Sequence, residues 1–255
     1  MPIARGRTPL PPLSLTAWLR YDLVRRLLPE GAQRVLEIGA GVGSIGALLA
    51  RRLEYVGLEP DPASYAIAAR RVGKLGLVLN TTAEEFASDG PFDLVCAFEV
   101  LEHIEDDRAA LAGWLRHLAP GGTLMVSVPL GRERYGPWDE KAGHIRRYDR
   151  EEIAARLEET GLASVVAVPY GFPLGSASEA VRALLARRRR DERSLAERTA
   201  ASGRNYQPPA WAAYATWLAA APFRILQRPF QGTDLGPGVV ASGRLPQSVS
   251  GSLEP

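Results

Sequence analysis

The chain has 255 residues, with 31 Lys and Arg side chains against 29 Asp and Glu and a formal net charge of +2. This length allows one sizeable core, and the balanced charge excludes the basic surface that nucleic-acid partners require. The single cysteine, Cys96, excludes an internal disulfide and predicts a reducing, cytoplasmic compartment. The three widely spaced histidines show no zinc-binding pattern, so no metal site is predicted.

Apolar periodicity and turn residues predict alternating strands and helices along most of the chain. Residues 1–14 are predicted to be a flexible arm, and a helix over 15–28 ends at Pro29. The alternation favours an α/β fold built on a parallel sheet. Strands are predicted at 34–38, 55–58, 77–80, 92–98, 123–128 and 162–168, helices at 44–52 and 62–75, a short helical connection at 82–87, and further helices capped by Asp106 or Asp107 and by Asp149.

Two short sequence patterns predict where a strand and a helix begin. Pro120-Gly121-Gly122 is expected to form the turn that leads into the fifth strand. Glu152 follows Asp149 by three residues, as in a capping box at the start of a helix.

The regular pattern lapses over residues 171–236, which are predicted to form a helical insertion or lid before a last strand at 239–241. A charged helix at 176–202 contains four arginines at 187–190, which indicate a solvated helix face or part of a membrane-contacting surface. Residues 206–223 lack charge, but their prolines and alanines argue against a membrane span. We expect a lid, with peripheral membrane contact through 206–230 as the alternative, and a disordered tail at 246–255.

The stretch over residues 35–44 organises the chain. An apolar strand, a turn with Gly39, Gly41 and Gly43, and the start of a helix follow one another there, so backbone N–H groups can face a ligand. The turn alone is compatible with a dinucleotide, a nucleoside or no ligand. The spacing of Gly41 and Gly43 departs from the dinucleotide pattern, and the acidic Glu37 suits a positively charged ligand.

Glu59 ends the second predicted strand, twenty residues after Gly39. In doubly wound folds a carboxylate at this distance reaches the ribose hydroxyls of a nucleotide, and its two oxygens can each accept a hydrogen bond. The alternative is a solvated charge at a strand end. The neighbouring glycine turn favours the ribose role.

Five short motifs follow one another in order and spacing. They are EIGAGVG at 37–43, EPD at 59–61, TAEEF at 82–86, FDLVCAFEVLEH at 92–103 and LAPGGTL at 118–124. Together they resemble class I S-adenosylmethionine-dependent methyltransferases, especially the branch with ubiquinone-pathway and other small-molecule O-methyltransferases. The resemblance covers about residues 15–170. It implies a Rossmann-like, seven-stranded, mostly parallel sheet with helices on both faces and an antiparallel last strand, in one domain over 15–245.

The resemblance also implies S-adenosylmethionine as the cofactor, bound at the carboxyl ends of the strands. Thr82 stands where the family usually has an aspartate, so recognition of the adenine amino group is expected to move to Glu84 or to a hydroxyl. The implied cofactor-binding residues are Glu37, Gly39, Ala40, Gly41, Gly43, Glu59, Pro60, Thr82, Ala83, Glu84, Phe98 and Glu99.

Methyl transfer from a sulfonium to oxygen or nitrogen is an in-line displacement, and a protonated acceptor also needs a base. The candidate catalytic residues are His103, after the fourth strand, and His144, in the long loop 129–148. For each, the alternative is a histidine that only anchors its loop. A small-molecule acceptor is expected between this loop, the first helix and the insertion, with contacts from Trp18, Tyr21, Tyr135, Asp139, Arg146 and Tyr148.

Two other classes of protein remain as alternatives. A nicotinamide-dependent oxidoreductase would share the fold, but the glycine spacing and the lack of a Tyr-x-x-x-Lys pair argue against it. A non-catalytic cofactor-binding protein would keep the glycine turn and Glu59 without turnover. Within the methyltransferase class, a lipid-linked or membrane-associated acceptor is the alternative to a soluble one.

Overall fold

The computed structural model describes residues 9–186, 194, 197–199, 203–204 and 207–247. The arginines at 187–190 and the outer parts of the predicted arm and tail, 1–8 and 248–255, lie outside the described residues. Pro11, Pro12 and Leu13, which the sequence places in the flexible arm, are buried, and Leu13 joins the hydrophobic core. This part of the predicted arm therefore packs on the domain.

The described residues form a seven-stranded sheet in the order β3-β2-β1-β4-β5-β7-β6. The last strand, β7, is antiparallel to both of its neighbours, and the other pairs are parallel. This confirms the predicted Rossmann-like α/β fold. The strands are β1 Arg34–Ile38, β2 Glu54–Leu58, β3 Leu77–Leu79, β4 Phe92–Phe98, β5 Leu118–Pro129, β6 Ala163–Tyr170 and β7 Gly238–Arg244.

Helices flank the sheet, and short polar side chains begin several of them. Ser14, Asp61 and Asp106 each accept a hydrogen bond from a backbone N–H three residues on, which satisfies a donor that the helix cannot use. The helices are α1 Leu15–Leu27, α2 Gly46–Leu49, α3 Pro62–Val72, α4 Asp107–Leu115, α5 Pro137–Ala142, α6 Arg150–Glu159, α7 Leu174–Ala186, α8 Ala213–Ala220 and α9 Phe223–Leu226.

Four local predictions are wrong. Helix α2 has only four residues, and residues 82–87 form turns rather than a helix. Residues 120–122 lie within the bounds of β5 instead of preceding it, because the strand already begins at Leu118; they form a register shift against β4 before regular pairing resumes at Thr123. The capping box at α6 is absent: Asp149 accepts from the Arg132 backbone N–H, and Glu152 pairs with the Arg132 guanidinium.

The hydrophobic core lies on both faces of the sheet. Along β4, Leu94, Cys96 and Phe98 pack in one cluster with α1, α2 and α3, while Val95 and Ala97 pack in the other with α4 and α6. This alternation follows from the two-residue period of a strand, and burial on both faces explains why the β4 sequence is almost continuously apolar.

The chain between β6 and β7 supplies α7, α8 and α9, and all three contact α1. In place of the predicted charged helix at 176–202, α7 begins at Leu174 and is described as far as Ala186. Within the described ranges, no helix combines the length and apolar character that crossing a membrane requires.

Candidate active site

The edge formed by the carboxyl ends of the parallel strands carries most of the predicted cofactor residues. β1 lies between β2 and β4, so the residues that follow these three strands meet there. The strand order also reverses beside β1, which is where open α/β sheets bind ligands. We call this region, residues 39–43, 59–61, 82–84 and 98–99, the cofactor edge.

The glycine turn and Glu59 are joined by backbone hydrogen bonds. The Gly41 N–H donates to Glu59 Oε2 at 2.7 Å, and the Asp61 N–H donates to Oε1 at 3.0 Å. A carboxylate oxygen has a second lone pair, so Glu59 can hold the turn and still accept from ribose hydroxyls. Glu59 is only 7% exposed, and burial raises its pKa to about 7.

Two glycines of the turn are required for different reasons. Gly41 has φ +57°, and no atom of the described residues lies within 4 Å of the position a Cβ would take, which leaves room for a ligand beside the backbone. Gly43 has φ +72°, and a Cβ there would come within 2.9 Å of Ala68 Cα in α3. Gly43 thus allows the turn to pack on α3, while Gly41 leaves the cofactor edge accessible.

Glu37 lies below this edge rather than on it. Its side chain is buried at 3% exposure, and Oε2 accepts a hydrogen bond from the Tyr55 hydroxyl at 2.5 Å. Burial raises the pKa of Glu37 to about 7. The structure therefore places Glu37 under the turn, and its contact with the cofactor stays a prediction.

The other predicted cofactor residues take several positions. The Ala40 N–H donates to the Leu58 carbonyl at 2.9 Å, and Pro60 is exposed. Ala83 and Glu84 line a cavity with Ile104 and α4, and both of their carbonyls accept from Arg116. The Thr82 hydroxyl accepts from the Glu85 N–H at 3.3 Å.

The end of β4 separates two neighbouring side chains. Phe98 is buried in the core with α1 and α2, so its side chain does not face the cofactor edge. Glu99 has a positive φ of 58°, rare for a residue with a Cβ. Its carboxylate pairs with Arg20 at 2.9 Å and accepts from the Ser127 hydroxyl at 3.0 Å. Burial acts to raise the pKa of Glu99, but Arg20 and other partners outweigh it and lower the pKa.

A second cleft adjoins Glu99, between the loop after β5, α1 and α7. We call it the acceptor cleft. Its lining is mostly polar and charged. The lining residues are Thr16, Glu99, Pro129, Trp138, His144, Arg147, Tyr170, Gly175, Glu179, Arg182 and Pro237.

His144 is held in this cleft by a buried ion-pair network. Its Nδ1 lies 2.9 Å from Asp139 Oδ1, and the same oxygen accepts from Arg147 Nε at 2.8 Å. Asp139 is 1% exposed, and Arg147 also pairs with Glu179 at 2.5 Å. Burial acts to raise the pKa of Asp139, but His144 and Arg147 lower it overall, so the carboxylate stays ionised. Tyr135 donates from the rim to the His144 carbonyl at 2.9 Å.

His103, the second predicted catalytic residue, lies beside His144. The two ring centroids are 5.0 Å apart in an edge-to-face arrangement. His103 Nδ1 lies 2.8 Å from the Gly143 carbonyl oxygen, and burial lowers the pKa of the ring to about 4. The ring is therefore neutral at neutral pH.

Four predicted acceptor contacts are wrong in their placement. Trp18 is 2% exposed and donates from Nε1 to Thr216, and Tyr21 packs beside it on α1. Arg146 pairs with Asp107 at 3.2 Å, outside the cleft. Tyr148 is fully buried and donates to Asp107 at 3.0 Å. On α1 the residues that reach Glu99 and the cleft are Arg20 and Thr16, one helical turn apart.

Several residues of the site were missed in the sequence. Arg147 and Arg182 stand among many arginines, so composition gives no signal for them. Glu102 could have been found, because it lies between Glu99 and His103 in the same motif. Its carboxylate is fully buried beside both histidines.

The insertion also reaches the cofactor edge. Gln207 Oε1 accepts from Ser44 at 3.2 Å and from Arg71 at 3.0 Å, next to the glycine turn. Arg204 pairs with Asp61, the residue that caps α3. These contacts close the outer side of the turn.

Fold and site together define a Rossmann-like protein with a candidate nucleoside site at the β1–β4 switch point and a second cleft beside it. A family model described as a methyltransferase domain matches residues 16–168, and the chain belongs to this family. The predicted class, an S-adenosylmethionine-dependent methyltransferase, is confirmed as far as the methyltransferase family. The comparisons bring no support for the nicotinamide-dependent or non-catalytic alternatives.

Relatives and solved structures agree with this assignment. The chain is 38% identical over 110 residues to a ubiquinone biosynthesis O-methyltransferase of Cereibacter sphaeroides, over 41% of this chain and 44% of that protein. The matched region thus spans less than half of that relative. A SAM-dependent methyltransferase of Thermotoga maritima superposes with TM-score 0.55 at 23% identity, over 90% of this chain and 89% of the other. An N-methyltransferase of Bradyrhizobium japonicum in complex with S-adenosyl-L-homocysteine gives TM-score 0.52 at 18% identity, over 91% and 86%. These two structures show the shared fold.

Proposed function

We propose that this chain transfers the methyl group of S-adenosylmethionine to a hydroxyl oxygen of a small polar acceptor held in the acceptor cleft. The observation that carries the proposal is the position of His144, oriented by Asp139 and lining the cleft together with Glu99 from the cofactor edge. A hydroxyl placed there faces both the cofactor and a group able to receive its proton.

The polarity of the cleft supports a polar acceptor over an apolar one. Arg182 lines the cleft, and burial lowers its pKa. Its guanidinium stacks on Trp138 at 5.5 Å and donates to the Thr16 and Ser178 hydroxyls, and no carboxylate of the described residues forms an ion pair with it. A half-buried cation of this kind favours an acceptor with a carboxylate or another electron-rich group.

Methyl transfer is tested with methyl-labelled S-adenosylmethionine and a panel of catechols, hydroxy acids and sugars, each with and without a carboxylate. We expect His144→Ala to lower turnover about 10²- to 10⁴-fold while the dissociation constant of S-adenosylhomocysteine stays unchanged. Arg108→Ala, at an exposed ion pair on α4, is the matched control. Unchanged turnover in His144→Ala would leave this histidine with a structural role only.

A second candidate, a membrane-associated acceptor, is favoured by one specific feature. Trp211, Tyr214, Leu218 and Ile225 are between 60% and 83% exposed, and they fall within the predicted membrane-contact segment 206–230. Exposed aromatic and aliphatic side chains in one segment suit a lipid surface. Co-sedimentation with anionic vesicles tests this candidate, and the double variant Trp211→Ser and Leu218→Ser should abolish it.

A further inference from the structure

Three side chains beside the acceptor cleft converge on one point. Glu102 and His103 follow β4, and His144 follows α5, so two distant segments contribute. Each residue offers one ligand atom, and these atoms all lie within 4.8 Å of one another. Glu99 is close in sequence but is already paired with Arg20 and Ser127, so it is not part of the group.

Of these three side chains, Glu102 has the least satisfied hydrogen-bonding groups. Its side chain is 0% exposed, and neither carboxylate oxygen has a hydrogen-bond partner among the described residues. The nearest ring nitrogen, His144 Nε2, is 3.8 Å from Oε1, which is beyond hydrogen-bond distance. A buried carboxylate without partners is costly, so its place in the fold requires an explanation.

The two histidines present the ring nitrogen that a metal ion binds. His103 Nδ1 faces the Gly143 carbonyl oxygen, which can only accept, so the proton is on Nδ1. His144 Nδ1 faces the Asp139 carboxylate and carries its proton for the same reason. Each Nε2 therefore has a free lone pair. Metal-bound histidines are held in this way, with the other nitrogen donating to a carbonyl or a carboxylate.

We propose that Glu102, His103 and His144 bind one divalent transition-metal ion. Two imidazoles and one carboxylate suit Zn²⁺, Fe²⁺ or Co²⁺ better than Mg²⁺ or Ca²⁺, which prefer oxygen ligands. Bonds of about 2.1 Å place neighbouring ligands about 3.4 Å apart in a tetrahedral site, so ligand atoms that are as far as 4.8 Å apart approach one another by up to about 1.4 Å around the ion. This departs from the sequence, which predicts no metal site.

The catalytic role of this metal site rests on the proposed function, because the ion activates the acceptor in the proposed methyl transfer. An acceptor hydroxyl at the open position of the ion becomes more acidic and loses its proton to water. The oxygen then attacks the methyl carbon, an O–CH₃ bond forms as the S–CH₃ bond breaks, and the products are the methyl ether, S-adenosylhomocysteine and a proton. His144 then acts as a metal ligand, and the ion takes over the activation of the acceptor.

Metal binding is measured without acceptor or cofactor. Untagged protein is stripped with a chelator and titrated with Co²⁺, while its visible absorption and metal content are followed. We expect one Co²⁺ per chain, displaced by Zn²⁺, and a dissociation constant raised at least about 100-fold by Glu102→Gln and by His103→Asn. Glu105→Gln, at an exposed glutamate in the same segment, is the matched control and should bind as the wild type.

Circular dichroism establishes that each variant is folded, and two variants keep the test decisive if one is not. Wild-type protein that binds no Co²⁺, or binds it as weakly as Glu102→Gln, overturns the metal site. Methyl transfer that proceeds at full rate in the stripped protein overturns its catalytic role but leaves the proposed function intact. Stoichiometric Co²⁺ binding without methylation of any hydroxyl acceptor supports the metal site and contradicts the proposed function.

Discussion

The cofactor edge and the acceptor cleft lie side by side, yet they are built in different ways. The cofactor edge is held together mainly by backbone groups and one carboxylate, because the Gly41 and Asp61 N–H groups both donate to Glu59. In the acceptor cleft, side chains from α1, the end of β4, the loop after β5 and α7 meet, and buried ion pairs hold them. The cofactor edge takes its residues from 39–99, whereas the acceptor cleft joins segments from 16 to 237.

This difference determines how each site responds to mutation. A backbone turn depends on φ angles and close packing, so single side chains outside it matter little. A network of buried charges depends on every member, because removal of one leaves its partners without compensation. The predictions below compare the two regions, from the largest expected effect to the smallest.

Asp139→Ala should cause the largest loss, because Asp139 is the hub of the acceptor cleft. It leaves Arg147, 4% exposed, with one fewer acidic partner and frees the His144 ring. We expect the free energy of unfolding to fall by about 3–5 kcal/mol, measured by urea denaturation. Glu140→Ala changes the exposed neighbour and should cost little. Equal stability of the two variants would show that the network does not hold the cleft together.

Glu37, which lies beneath the cofactor edge, should make the free energy of unfolding depend on pH. Its pKa is about 7 in the fold against an ordinary 4.5, so the folded chain binds the extra proton between these values. Stabilisation is therefore full below pH 4.5 and is lost as pH rises through about 7, by about 3 kcal/mol. The free energy of unfolding is measured from unfolding curves at pH 4.5 and at pH 8. The decrease between these two pH values should lose the contribution of Glu37 in Glu37→Gln. Parallel pH profiles for wild type and variant would contradict the assignment.

Glu59→Ala should weaken cofactor binding with a smaller effect on the fold. It removes the acceptor expected for the ribose hydroxyls and the one that holds the Gly41 N–H. We expect a loss of about 1–3 kcal/mol in binding of S-adenosylmethionine, measured by calorimetric titration. Glu54→Ala alters an exposed glutamate of the same strand and serves as control. Unchanged affinity in Glu59→Ala would remove Glu59 from the cofactor site.

Tyr135→Phe should have the smallest effect. Its hydroxyl donates to the His144 carbonyl, but the residue is 39% exposed and water can replace the bond. The free energy of unfolding should change by less than about 1 kcal/mol, and turnover should stay within a few-fold of wild type. A loss as large as that of Asp139→Ala would mean that the rim, and not the buried network, positions His144.

The sequence carries more information about the cofactor edge than about the acceptor cleft. The sequence predicts the turn at Gly41 and Gly43 and the place of Glu59 beside it, because a turn with positive φ requires glycine and a strand end fixes the place of its carboxylate. Trp18 and Tyr148 were misplaced because the sequence does not distinguish an aromatic residue that packs in the core from one that faces a ligand. Arg182 was missed because no local pattern distinguishes a buried arginine from a solvated one.

From its residues alone the sequence predicts the α/β fold, the strand at 92–98 and the glycine turn of the cofactor edge, because apolar periodicity and turn chemistry act over short stretches of chain. The methyltransferase family comes instead from the resemblance of five ordered motifs. Only the tertiary structure decided that Arg20, Arg147 and Arg182 surround the acceptor cleft, and that Glu102, His103 and His144 meet at one point. Such contacts depend on which distant segments pack together, and on the desolvation that makes their charges matter, and neither is written in any local stretch of residues.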